Sequence, residues 1–239
     1  MNRPRAILLD LDDTILDCGD VNAAWLTVVG EFRDEIGGLE PANVSWRIRQ
    51  EAEAFWSDPD RHRIHRQDLR TSRRGIVERA FAAIGDKGGP VLSRATAHAL
   101  ADRLTLYREE QICVFPGAIE AVEALRDEGI LLGLITNGAS EPQRAKVVQF
   151  DLERHFDHVQ IEGEMGFGKP EERTYRHALS VLNTEPHDAW MVGDNLEWEV
   201  AAPQRLGMAG IWHDHLKAGL PADSPHRPDR IIQSLAELL

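Results

Sequence analysis

The chain has 239 residues, 42% of them apolar, and a formal net charge of −13 at pH 7. An acidic chain of this kind is repelled by a nucleic-acid polymer and by an anionic membrane surface, so both are excluded as general partners. An anionic substrate would need positive charge supplied locally, by a metal ion or by a few Lys and Arg.

The length suits one core domain carrying a sizeable insertion. No stretch approaches the roughly 18 consecutive apolar residues of a membrane span. The N-terminal apolar run is too short and too acidic for a secretory signal. Cys18 and Cys113 have no metal-ligand or redox spacing. Together these features predict a cytoplasmic protein with free thiols.

The first element, "RAILLDLDDTILD" over residues 5–17, reads as a short strand buried on both faces that ends in carboxylates. From about 20 to 112 the sequence predicts helices only. "VNAAWLTVVGEFRDEIG", "PANVSWRIRQEAEAFWSD", "LRTSRRGIVERAFAAIG" and "SRATAHALADRLTLYREEQ" space their apolar residues as helices do. Gly37 and Gly85 are read as helix ends, and Pro41 suits a first turn. From 113 the texture alternates. "PGAIEAVEALRDEG" predicts a helix, "ILLGLITNG" a strand, and "SEPQRAKVVQFD" a helix opened by Ser140 as N-cap. "FDHVQIEG", "DAWMVGDN" and "MAGIWHD" predict strands, "EERTYRHALSVLN" and "LEWEVAAPQRLG" helices, and "PDRIIQSLAELL" a closing strand and helix.

Alternating strands and helices imply an α/β fold: a Rossmann-like parallel sheet with helices on both faces. The core is predicted over residues 1–16 and 113–239, with an α-helical domain inserted over 17–112. In such sheets chemistry gathers at the carboxyl ends of the strands. Those ends carry Asp10 and Asp12, then Thr136 and Asn137, then Lys169 in a loop, then Asp194.

Asp10, Asp12 and Asp194 brought to one point need a counter-charge. A hard divalent cation supplies it, and Mg²⁺ is satisfied by a few oxygen ligands and water. The metal with Lys169 would hold a phosphate, and Thr136 would donate to its oxygens. An ionised Asp10 would attack phosphorus without a base. Asp12, on the same side of the extended chain, would protonate the leaving oxygen and then take a proton from water.

"DLDDT", "LITNG", "GKP" and "VGDNLEWEV" stand in the order and approximate spacing of the haloacid dehalogenase-like (HAD) hydrolases. The chain resembles that family over essentially its whole length. The insertion looks like its type-1 helical cap, which closes over the site and chooses the leaving group. The C-terminal half is similar to the phosphatase branch that contains N-acylneuraminate-9-phosphatase. The resemblance implies a Mg²⁺-dependent phosphatase for a small phosphorylated metabolite. Asp10 is its nucleophile and a metal ligand, and Asp12 its acid/base, with a backbone carbonyl on the metal. Thr136, Asn137 and Lys169 handle the phosphate, and Asp194 is an acidic metal ligand. One departure is Glu199, where the family commonly has a second aspartate. One methylene longer, it would reach the metal through a water or hold Lys169. Asp13 stands where glycine is also common and is read as a turn residue.

Rival readings share the fold. A haloacid dehalogenase gives Asp12 no task. A phosphomutase keeps every residue named. A phosphonatase needs a desolvated lysine in the insertion, where Lys87 in "GDKGGP" is the sole lysine. A non-catalytic binding protein would not need to keep every competent residue. In "RHRIHRQDLRTSRR", residues 61–74, the arginines are read first as a solvated face with internal ion pairs. The alternative has Arg66, Arg70, Arg73 and Arg74, at helical spacing, binding an anionic part of the substrate.

Overall fold

The computed structural model describes residues 3–239. It divides into two compact units, one formed by the chain up to Asp17 with Cys113–Leu239, the other by Cys18–Ile112.

The first unit is built on β1 (Ala6–Leu9), whose four side chains are all buried, as a strand covered on both faces requires. It pairs in parallel with β4 (Leu131–Thr136) on one side and β6 (Ala189–Gly193) on the other. β5 (His158–Ile161) lies outside β4, and β7 (Ala209–His213) and β8 (Arg230–Ile232) continue beyond β6. All five ladders are parallel. The helices are α6 (Ala118–Asp127), α7 (Ser140–Gln149), the short α8 (Glu162–Met165), α9 (Glu172–Val181) and α10 (Ala202–Arg205). Ala6, Leu8 and Met191 pack with Tyr175, Ala178, Leu179 and Leu182 of α9 and the turn after it. The expected Rossmann-like sheet is present.

Several local expectations are corrected. Ser140 is not the N-cap of α7; Ala139 is, and the Ser140 hydroxyl reaches toward Glu164 instead. "LEWEVAAPQRLG" opens as a π-helical turn over Leu196–Ala201 before the short α10. The chain closes with a 3₁₀ turn at Leu235–Leu238, held by a Ser234/Glu237 capping box, rather than an α-helix. β2 (Leu16–Asp17) and β3 (Cys113–Val114) form an antiparallel pair that dipeptide length hides from any periodicity argument. Asp17 thereby belongs with the sheet unit, one residue beyond the expected boundary.

The second unit contains α1 (Val21–Glu31), α2 (Pro41–Trp56), α3 (Pro59–His65), α4 (Leu69–Asp86) and α5 (Arg94–Gln111). Asp20, Asp58, Asp68 and Ser93 cap four of them by accepting from first-turn backbone N–H groups. The unit has its own apolar core, including Trp25, Val28, Ile48, Ile76, Phe81 and Leu100. α1 ends at Glu31, and the turn that follows runs to the left-handed pair Gly37 and Gly38. Segment 61–74 is broken: α3 stops at His65, and the Asp68 cap starts α4 at Leu69, so Arg66 does not share a helix with Arg70, Arg73 and Arg74. Lys87 is an exposed residue at the end of α4. Among the described residues no helix is long and apolar enough to cross a membrane, and both cysteines are free.

Candidate active site

The parallel ladders align the carboxyl ends of three strands. Leu9 pairs with Leu134 and with Val192, and the Asp10 backbone N–H donates to the Val192 carbonyl at 3.0 Å. Asp10, Thr136 and Asp194 therefore leave the sheet side by side.

Asp10 and Lys169 form a buried ion pair. Lys169 is 1% exposed, and its ammonium is also 2.8 Å from a Glu199 carboxylate oxygen. Burial alone would push the Lys169 pKa down. The charges of Asp10 and Glu199 outweigh it and hold the ammonium above the usual lysine range. Burial pushes the Glu199 carboxyl up to about 7 against the pull of Lys169. Asp10 is likewise raised by burial, with Lys169 opposing. Asp194 is pushed up to about 9 by burial and then by the charges of Glu199, Asp10 and Asp13. One buried ammonium thus faces an excess of carboxylates.

Glu199 lies on the π-helical turn. Its second oxygen accepts from the Asn195 backbone N–H at 2.8 Å, and the Asn195 side chain accepts from the N–H groups of Glu197 and Trp198. Tyr175 anchors the same turn through its hydroxyl, which donates to the Trp198 carbonyl at 2.6 Å. The Trp212 indole N–H donates to the Asp194 carbonyl at 2.7 Å. Glycine at 193 is required, because a Cβ there would lie 2.2 Å from the Glu199 Cγ and 3.0 Å from the Asp10 Cβ.

Asn137 acts on the lysine's backbone. Its amide donates to the Lys169 carbonyl and accepts from the Lys169 N–H, each at 2.8 Å. Asp12 faces a different set of partners. Lys146 Nζ lies 2.7 and 2.8 Å from its two oxygens, and Gln143 Nε2 donates to one of them at 2.9 Å. The same Nε2 lies 2.6 Å from the Thr136 hydroxyl oxygen and 2.8 Å from the Asn137 carbonyl, so its two hydrogens are shared among three oxygens. Asp13 has φ of 58°, the left-handed turn conformation that suits Asp and Gly, and its carbonyl accepts from His213 Nδ1 at 3.0 Å.

The structure thus brings together Asp10, Asp12, Thr136, Asn137, Lys169, Asp194 and Glu199. Among the described residues no three His, Cys, Asp or Glu side chains surround one metal position. Asp10 and Asp194 are two buried carboxylates that feel each other's charge, and oxygen donors of this kind could hold a hard divalent cation; burial first, and then the neighbouring carboxylates, raise Asp194.

In the helical unit the arginines mostly serve the unit itself. Arg70 and Arg74 both hold Asp102, Arg70 through contacts of 3.1 and 2.9 Å. Arg73 donates to the Thr105 hydroxyl at 2.9 Å, and burial pushes its guanidinium down to about 10, with Arg108 adding. Arg66 is buried in the joint before α4.

A model of the haloacid dehalogenase-like hydrolase family matches residues 4–207. The chain belongs to the haloacid dehalogenase-like hydrolases. This hydrolase is 30% identical to the phosphoserine phosphatase of Thermus thermophilus, over 98% of its own length and 97% of that protein's. It is 27% identical to the N-acylneuraminate-9-phosphatase of Homo sapiens, over 100% of its length and 93% of that protein's. The solved structure of the HAD-hydrolase YfnB from Bacillus subtilis shares its fold, with a TM-score of 0.69 at 22% identity, covering 99% of this chain and 97% of that one.

Sequence reasoning about the hydrolase missed Gln143, Lys146, Tyr175 and Trp212. The first two lie three residues apart, on one face of α7, the helix that follows "LITNG". That spacing was the available signal, and it is indistinguishable from a solvated helix face until the helix is docked.

Proposed function

We propose that this hydrolase is a phosphomonoester hydrolase for a small phosphorylated metabolite, working through an aspartyl-phosphate on Asp10. The observation that carries the reading is the buried Asp10–Lys169 pair with a second carboxylate, Asp12, two residues further on and held by partners of its own. The phosphatase names of the full-length relatives support it. Displacement of halide would leave the Asp12 side chain without a task.

An oxygen of the ionised Asp10 attacks phosphorus in line. The Asp10–phosphorus bond forms as the bond to the leaving oxygen breaks, and Asp12 gives that oxygen its proton. Water then attacks the same phosphorus, the bond to Asp10 breaks, and the water's proton passes to Asp12. Lys169, kept charged by Asp10 and Glu199, faces the negative charge of the phosphoryl group, and the Thr136 hydroxyl donates to it. Asn137 fixes the backbone from which Lys169 extends. Asp10, Asp194 and the Asp12 carbonyl would hold Mg²⁺, which supplies neutralisation of phosphoryl charge when bound.

The test is phosphate release from an aryl phosphate with Mg²⁺ and with EDTA, in the wild type and in Asp10→Asn. Metal-dependent release and near-complete loss in the mutant are expected. Robust turnover by Asp10→Asn, or in EDTA, overturns the reading.

A further inference from the structure

The Gln143 side-chain amide has an assigned orientation that the surroundings dictate. Two of its three neighbours can only accept in the resting protein: the Asn137 carbonyl, and the Asp12 carboxylate while it is ionised and paired with Lys146. Its nitrogen must face them, since the flipped amide would set oxygen against oxygen. The third neighbour is the Thr136 hydroxyl, 2.6 Å away. Because that oxygen accepts from Gln143, its own hydrogen is turned elsewhere. It points to the Asn137 carbonyl, which it reaches only through a long bond of 3.4 Å while that carbonyl also accepts from Gln143, so a phosphoryl oxygen can take it over. Gln143 is 4% exposed, so bulk solvent does not compete for these contacts. Lys146, on the same face of α7, grips both oxygens of Asp12.

We propose that Gln143, assisted by Lys146, is a positioning residue that sets two groups at once: the orientation of the Asp12 carboxylate and the donor direction of the Thr136 hydroxyl. The proposal rests on the phosphatase reading above. It joins the group that handles the leaving oxygen to a group that holds the phosphoryl oxygens, through one amide. A protonated Asp12 carboxyl displaced by a fraction of an ångström transfers its proton poorly, and this matters most when the leaving oxygen is basic and cannot depart without the proton.

The experiment is a series of para-substituted phenyl phosphates of matched shape, from 4-nitrophenyl to 4-methoxyphenyl, with Mg²⁺. kcat and KM are measured for wild type and Gln143→Leu, which keeps the bulk and removes the donors. Expected is a loss in kcat of about threefold for 4-nitrophenyl phosphate and about thirtyfold for 4-methoxyphenyl phosphate, within the span of general acid catalysis. KM should change little. Gln143→Met, a more flexible replacement, should show the same steepened dependence. In a Thr136→Val background the further loss from Gln143→Leu should shrink, because the two changes act on one contact.

An equal loss across the series, or full additivity with Thr136→Val, overturns the proposal and leaves Gln143 a structural residue. A loss confined to KM overturns it in favour of direct phosphate binding. A wild type that releases phosphate from none of the esters overturns the phosphatase reading itself, a result distinct from an active enzyme with a flat series.

Discussion

Gly193 and Glu199 fit together only because one of them lacks a side chain. A Cβ at 193 would fall 2.2 Å from the Glu199 Cγ and 2.8 Å from its carboxyl carbon. The glutamate that departs from the family's usual aspartate therefore has its extra methylene accommodated by the end of β6, and it delivers its carboxylate to Lys169 rather than pointing away. Gly193→Ala should cost about 1–3 kcal/mol through overpacking. The cost should shrink in a Glu199→Ala background, where the obstructing methylene is gone. Urea denaturation of the four proteins of this cycle measures it, and strict additivity would contradict the packing described.

Among the described residues Lys169 is the buried cation that faces Asp10, Glu199 and Asp194, as the distances and the raised carboxyl pKa values describe. Lys169→Met should lower kcat by about 10²-fold or more, the scale for losing one preorganised charge at the reacting centre. Lys169→Arg should not restore it, because a planar fork does not replace a compact ammonium in a closed pocket. Steady-state kinetics on one aryl phosphate tests both.

Tyr175 holds the turn that carries Glu199 by a single hydrogen bond from its hydroxyl to the Trp198 carbonyl. Tyr175→Phe removes that hydrogen bond and should cost about 1–3 kcal/mol. Equilibrium unfolding gives the stability change, and a mutant as stable as the wild type would show the contact to be dispensable.

Asp102 is held well below the usual carboxylate range by hydrogen bonds from Arg70 and Arg74. A carboxyl depressed on folding contributes stability above its unfolded value, near 3.8, and loses that contribution as pH falls toward the folded value. Asp102→Ala should therefore lower Tm at neutral pH, and the gap from wild type should narrow as pH drops below 3.8. Arg70→Ala and Arg74→Ala should likewise act on Tm and leave KM for a small aryl phosphate unchanged. A KM effect without a Tm effect would return these arginines to the substrate.

What the sequence made legible was whatever a strand end displays. "AILLDLD" and "LLGLITNG" are apolar runs with no polar face, and the residue after each run has one place to go, the edge of the sheet. Lys169 was legible beside Pro170 for the same reason of order along the chain. The contacts that hold those residues were not. Gln143 meets Asp12 across 131 positions of sequence, and nothing local distinguishes it from Gln149 on the same helix. The break at Asp68 was hidden because arginines at 66, 70, 73 and 74 continue a helical spacing through the cap that ends it. The π-helical turn has no sequence period of its own and reads as an ordinary helix, so the direction of Glu199 could only be left open.

The pairing of β2 with β3 has a consequence for how such a chain can change. Leu16 faces Val114 and Asp17 faces Cys113, so the two ends of the helical segment are pinned side by side on the sheet unit. To that unit the whole of Cys18–Ile112 is one closed loop. The entropy of closing a loop grows only with the logarithm of its length, about 0.6 kcal/mol per doubling for a flexible chain. A replacement segment with half or twice as many residues would alter that term little, provided it folds on a core of its own as this one does. The two short strands fix where the chain leaves and re-enters: the sheet unit can stay constant while the segment between them is exchanged.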